Sequence, residues 1–224
     1  AFVHKYDQKP KRRVFEVLRS QGAHADQPVS FLSDGGETVR NLQLYLNPLG
    51  EQLLDWFHVT MRLTVMRQMA RGMEEEGIGL GSQLEKEISS IKWHLWNGNV
   101  EPALRAIDGL QILVENDQMS EKREKLLNAV REFGMYIVSN QQFIPDYGDR
   151  RRNRERISTG FVESAVNQVV SKRFVKKQQM RWSQRGAHLL LQVRTQVLNG
   201  EYRETFCRWY PGMKSEPEME KQVA

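Results

Sequence analysis

Two short runs, "VSFLS" (29–33) and "EQLLDWF" (51–57), each give way to a helical pattern, and a helical pattern over about 37–46 separates them. That order constrains the fold more than any other feature of the chain. A helix between two strands serves as a crossover, not a hairpin, so the strands are expected to pair in parallel. An earlier helical pattern, "PKRRVFEVLRSQ" (10–21), has Pro10 in its first turn and Gly22 beyond its end, the usual placement of both residues. "AFV" at the start reads as the end of a strand, and "VTMRLTVMRQMARGM" (59–73) reads as a helix. The alternation predicts an α/β class with parallel pairing.

After Gly77 the periodicity becomes helical throughout. Residues 82–97, 99–114 and 120–139 read as three helices, 141–160 as a long irregular connector rich in Arg, and 161–174 and 184–199 as further helices. The organisation expected is a β/α part over 1–76, a helical block over 77–145, a return over 146–205, and a polar tail over 206–224. A chain of 224 residues with 39% hydrophobic and 27% charged residues has ample length for a core. It holds no apolar run of the ~18–20 residues a membrane span needs, and no signal-peptide pattern, so no membrane partner is expected. Cys207 is the single cysteine, which rules out intrachain disulfides, favours an intracellular setting and reads as an inert thiol. Because the chain opens inside an apparent strand, it reads as a fragment of a longer protein.

Charge is distributed unevenly. Between Arg150 and Arg185 there are eleven Lys and Arg residues against Glu155 and Glu163, although the whole chain carries only +5. Positive charge concentrated in this way favours a polyanion, because neutralised phosphates release counterions; a solvated helical face is the plainer alternative. The candidate phosphate contacts are Arg150, Arg151, Arg152, Arg154, Arg156, Lys172, Arg173, Lys176, Lys177, Arg181 and Arg185, with Trp182 among them as a packing residue or a base contact.

Three acidic positions could carry chemistry. Asp34 sits in "SDGG" at the carboxyl end of a predicted parallel strand, where α/β sheets bind ligands. It either caps the next helix or holds a ligand, and both readings stand. Asp55 and His58 occupy the next strand-to-helix junction, where an N-cap Asp with a buried His competes with a proton-handling pair. Glu163 begins a polar strip with Asn167 and Ser171 at helical spacing, amid the cations; an ion-pair role is its alternative. Acids from strand ends plus one from a later helix would suit two-metal phosphoryl transfer. Met61, Met66, Met69 and Met73 read as core filler, Trp93 and Trp96 as packing within the helical block, and His188 as an ordinary helix residue. His4, His24 and His94 form no zinc pattern.

"SDGGETVRNLQLYLNPLGEQLLDWFHVTMRLTVM" followed by "TGFVESAVNQVVSKRFVKKQQMRWSQRGAHLLLQVRTQVLNGEY" resembles bacterial insertion-sequence transposases of the Kra group, DDE enzymes with Mutator-like relatives. The resemblance covers residues 1 to about 205. It implies an incomplete ribonuclease-H-like core interrupted by an all-α insertion, with a helical C-terminus. It matches Asp34 to the second catalytic aspartate, Glu163 to the catalytic glutamate, and Asp55 with His58 to the signature between them. It further implies a two-ion Mg²⁺ or Mn²⁺ site with Asp34 and Glu163 as ligands, supported by Asp55, His58 and Asn167. The expected activity is cleavage and strand transfer at transposon ends, by a homo-oligomer on DNA in the bacterial cytoplasm, associated with the nucleoid. The family's first aspartate belongs to an earlier strand, and Asp7 does not replace it. Two other classes remain: a truncated remnant that only binds DNA or a partner, and, less in keeping with the Asp34 and Glu163 contexts, a helical RNA-binding protein.

Overall fold

The computed structural model describes residues 9–24, 27–74, 80–115, 120–174 and 181–212. The strand end read at 1–3, Asp7, the 76/77 boundary, Lys176, Lys177 and the last twelve residues of the tail lie outside the described residues. The chain divides into two compact units, Phe15–Phe161 and Ala1–Val14 with Val162–Ala224. Helix α1, Pro10–Ser20, crosses from one to the other.

The larger unit opens with β1 (Ser30–Ser33), α2 (Glu37–Leu46) and β2 (Glu51–Leu54). The strands pair in parallel with Ser30 opposite Glu51 and Ser33 opposite Leu54, and α2 is the crossover. β2 is shorter than the expected 51–57, because Asp55 accepts the Phe57 N–H at 3.1 Å and so starts the next helix three residues early. Among the described residues the sheet has these two strands only, and most of the rest is helical.

That helical part is α3 (Trp56–Glu74), α4 (Gly81–Trp96), α5 (Val100–Val114) and α6 (Glu121–Asn140). α3 packs on α4 and α6, α4 on α5, and α5 on α6, closing a ring of four helices. Each helix turns one apolar stripe inward: Val59, Leu63, Met66, Ala70 and Met73 on α3; Leu84, Ile88, Ile91 and Leu95 on α4; Ala103, Ile107, Leu110 and Val114 on α5; Leu126, Val130, Phe133 and Ile137 on α6. The spacing by threes and fours is the helical repeat of a buried face. Met61 departs from the expected methionine stripe and faces solvent.

Leu54 and Trp56 belong to the same core, so the strand ends are seated directly on the helices. The seat is aromatic. Trp56 meets Trp96 edge-on at 5.1 Å and Tyr147 at 4.7 Å, while Trp93 is exposed. Tyr147 opens α7 (Tyr147–Arg152), a helix inside the stretch expected to be irregular; Asp146 caps it by accepting the Asp149 N–H at 2.7 Å. The fully buried Tyr147 hydroxyl donates to the Leu54 carbonyl at 2.8 Å, and burial raises its pKa strongly.

The smaller unit contains α8 (Gly160–Val166), a π-helical segment (Asn167–Ser171), α9 (Lys172–Phe174), α10 (Gln184–Leu198) and α11 (Tyr202–Trp209). α8 begins two residues before the division. Ser183 caps α10 by accepting the Gly186 N–H at 3.1 Å. α11 corrects the expected polar tail from 206: Tyr202, Phe206 and Tyr210 stack at 5.9 and 4.8 Å, which gives the segment an aromatic face.

Tyr147→Phe keeps the packing but strips the Leu54 carbonyl of its phenolic donor. It is expected to lower unfolding free energy by about 1 kcal/mol, read as a lower urea midpoint at unchanged slope. An unchanged midpoint would show that the hydroxyl does not anchor the strand end.

Candidate active site at the strand ends

Asp34 and Asp55 are the residues that follow β1 and β2, one step past the last paired positions, Ser33 and Leu54. The ladder continues to this point: the Asp55 N–H donates to the Ser33 carbonyl at 2.8 Å. Neighbouring strands lie ~4.8 Å apart, so two carboxylates leave the sheet side by side. Their surroundings then diverge.

Asp55 is fully buried. One of its oxygens accepts the N–H groups of Phe57 and Thr159, at 3.1 and 3.0 Å. The other takes His58 Nδ1 at 2.7 Å and the Thr159 hydroxyl. Four donors occupy the four lone-pair positions of a carboxylate. Asp55 therefore does cap α3, as one sequence reading had it, but it also clamps the 157–160 segment, which the Trp56 N–H holds again through Ile157 O at 3.0 Å. Because Asp55 accepts, His58 presents its hydrogen on Nδ1, and Nε2 is left as a lone-pair acceptor on a side chain that is one-quarter exposed.

Asp34 is exposed. Its Oδ1 accepts the Gly36 N–H at 3.0 Å, an Asx-type turn, while the first turn of α2 has no side-chain cap. The helix-cap reading of Asp34 is thus replaced by a turn that leaves Oδ2 with no partner among the described residues. Gly35 makes the turn possible. Its φ is +86°, and a Cβ there would lie 2.3 Å from Asn140 Oδ1. Arg40 locks the arrangement by donating to Gly35 O at 3.3 Å and to Asn140 Oδ1 at 3.1 Å, and Asn140 Nδ2 donates to Tyr136 O at 2.8 Å.

Tyr136 lies beside the carboxylates. Its hydroxyl oxygen is buried and has no hydrogen-bond partner among the described residues, and the Arg62 guanidinium lies 4.3 Å from its ring centre. Burial above all, opposed by Arg62 and reinforced by Asp34 and Asp55, pushes its pKa up to about 12. Tyr136, Asn140, Arg40 and Thr159 were not singled out by sequence. The available signals were the i, i+4 placement of Tyr136 and Asn140 on α6 and the "STG" just before Glu163.

Glu163, in the first turn of α8 and half-buried, belongs to the smaller unit, as do Asn167, Lys172, Arg173, Arg181, Trp182 and Arg185. Asn167 Oδ1 accepts the Ser171 hydroxyl at 2.9 Å. Trp182 stacks on Phe174 at 5.5 Å and keeps 37% of its surface exposed, so it both packs and faces solvent. The Arg150–Arg156 stretch is less uncompensated than its sequence suggests. Arg150 is gripped by Glu51 and by Glu155, the latter at 2.7 Å, and Arg152 pairs with Asp149 at 3.2 Å. Arg151 lies 5.9 Å from the Trp96 ring and Arg156 5.1 Å from that of Phe161. Arg151, Arg154 and Arg156 remain exposed. Among the described residues, no three His, Cys, Asp or Glu side chains are gathered so as to hold a metal ion.

No family model matches the chain, and no curated protein or solved structure is significantly similar to it.

The two neighbouring carboxylates predict opposite responses. Asp55→Asn places an amide N–H₂ against donors in a buried site and is expected to cost roughly 2–4 kcal/mol. Asp34→Asn is expected to stay within about 0.5 kcal/mol, as at other exposed positions. Equal urea midpoints for the two variants would refute the distinction. Tyr136 adds a pH dependence. A phenol whose folded pKa lies above its unfolded value stabilises the fold below the unfolded pKa, near 10. That contribution is lost as pH rises through about 12. Tyr136→Phe should remove the step near pH 12 from the phenolate absorbance titration and flatten the fall in stability over that range.

Proposed function

We propose that the chain is the C-terminal part of a DDE-type transposase with a ribonuclease-H-like core, cleaving and rejoining phosphodiesters at transposon ends. The observation that carries this reading is Asp34: an exposed carboxylate with an unused oxygen, on a glycine turn at the carboxyl end of a parallel strand, beside an Asp–His pair. The "TGFVESAVNQVVSKRF" resemblance adds Glu163 and the cationic helix that follows it.

The residues differ in how well they fit a hard divalent cation. Asp34 suits one, with a free carboxylate oxygen in solvent. Asp55 does not, because its oxygens are filled by protein donors. Asp34 and Glu163 are therefore the ligands proposed for Mg²⁺ or Mn²⁺, and the family pattern adds an aspartate from an earlier strand. Such ions, when bound, supply Lewis acidity at the scissile phosphate and favour deprotonation of the attacking hydroxyl. The protein's own parts are then distinct. His58 offers Nε2 as a proton acceptor, held in its tautomer by Asp55. Tyr136 stays a neutral donor at working pH. Arg151, Arg154, Arg156, Lys172, Arg173, Arg181 and Arg185 neutralise backbone phosphates, and the nucleic acid is DNA in a bacterial cytoplasm, bound by a homo-oligomer.

A metal-dependent plasmid-nicking assay tests the reading. Asp34→Ala and Glu163→Ala should each lower the rate by more than about 100-fold, the upper end of what loss of a ligand's supporting partner costs. Variants that nick as fast as the parent would reject the assignment. The second reading, a remnant that only binds DNA, is favoured by the exposed cations Arg151, Arg154, Arg156, Lys172 and Arg173. It predicts salt-sensitive binding with no metal-dependent nicking by any variant.

A further inference from the structure

We propose that Arg194 is a positioning residue: it holds open a one-residue helical bulge in the smaller unit and thereby turns Lys172 onto the Glu163–Asn167 face, where the lysine binds a backbone phosphate. The inference rests on the function proposed above and adds to that site a phosphate contact and the group that sets it.

The helix that carries Glu163 is not regular. Between α8 and α9 it passes through the π segment Asn167–Ser171, and the Lys172 N–H bonds back five residues to Asn167 O. In a regular helix that N–H would serve Gln168 O. The Gln168 carbonyl is therefore freed, and Arg194 from α10 takes it with Nη2 while Nε donates to Val169 O at 2.8 Å. The planar fork of a guanidinium can donate to two successive carbonyls at once, and Lys cannot. α10 packs on this segment, so the bulge is held from outside its own helix.

The bulge has a rotational consequence. A regular α-helix advances about 100° per residue, which would put Lys172, nine positions beyond Glu163, about 180° away from it. The extra residue of the π turn takes back about 100°. Lys172 then falls about 80° from Glu163 and about 40° from Asn167, which itself follows Glu163 by about 40°. Arg173 is carried to the far side by the same rotation, so among the described residues of this helix Lys172 is the cation that shares the carboxylate's face. Lys172 is exposed, and its side chain has no ion-pair partner among the described residues. π-bulges occur disproportionately at functional sites, and here the bulge has an identifiable effect on which side chain faces the acid.

The test is salt-dependent binding of a fluorescent DNA duplex by the full chain, in chelator and without divalent metal. Lys172→Ala should reduce the slope of log K against log salt by about 0.9, the loss of one phosphate contact. Arg194→Ala, which removes no exposed cation from that face, should reduce it by the same amount, and the double variant by no more. Deleting Val170 turns the π segment into regular α-helix and keeps the lysine on the same face without Arg194. In that background Arg194→Ala should leave the slope unchanged, and this comparison decides the matter if Arg194→Ala alone misfolds. The proposal is overturned if the chain binds no duplex, if folded Arg194→Ala keeps the full slope, or if the slope still depends on Arg194 after the deletion. Nicking enters none of these measurements, so a failure of the Asp34 and Glu163 assignments is read separately.

Discussion

The strand ends depend on one buried carboxylate. Asp55 collects the N–H of Phe57, the imidazole of His58, and both the amide and the hydroxyl of Thr159. These groups come from the start of α3 and from a segment about a hundred residues further along. A buried charge is tolerated only when its lone pairs are satisfied, so the four donors and the carboxylate require one another. The clamp starts α3, orients His58 and seats the 157–160 segment from which α8 departs. Asp55 is buried, as are the neighbouring Trp56 and Tyr147, and burial is the condition under which such hydrogen bonds are strong.

Asp34 and Asp55 show how environment assigns roles to identical side chains. They leave adjacent strands in matched register, yet one is saturated and the other has an unused oxygen in solvent. The difference originates in what covers each strand end. Over β2 lies the 157–160 segment with its Thr donors. Over β1 lies a glycine turn pressed against Asn140 and fixed by Arg40, which supplies no donor to Oδ2. A rigid turn that holds a carboxylate without consuming it is what a ligand site needs. Tyr136 completes the contrast. Its buried hydroxyl has no partner among the described residues, and its raised pKa keeps the proton on the oxygen.

Sequence made the elements legible where periodicity or turn chemistry was local. The runs behind β1, α2, α4, α5, α6 and α10 were placed within a residue or two, because strand β-branching, Pro48 and the apolar stripes are near-neighbour signals. The end of β2 was misplaced, since "DWF" is as hydrophobic as the strand before it and only the Asx turn at Asp55 ends it. α7 was hidden by its arginines, although Asp146 and Asp149 carry a capping pattern. α11 was hidden because its stabilisation is an aromatic stack that composition does not reveal. For the candidate site, Asp34, Asp55 and His58 were legible by type and position. Thr159, Tyr136, Arg40 and Asn140 were not, because each acts across about a hundred residues of chain, and a single sequence records no such pairing.

The π segment illustrates the same limit from the other side. Reading Glu163, Asn167 and Ser171 as one strip assumed a regular helix, and on that assumption Lys172 faces away from the carboxylate. Nothing between Gly160 and Phe174 announces the extra residue, because the group that stabilises it, Arg194, belongs to another helix. Helical wheels drawn through such a bulge are wrong by about a quarter turn beyond it, which is enough to take Lys172 off the face shared by Glu163 and Asn167. The identity of the cation that accompanies Glu163 is therefore set by a side chain-to-backbone contact some twenty residues downstream rather than by the local spacing of charges.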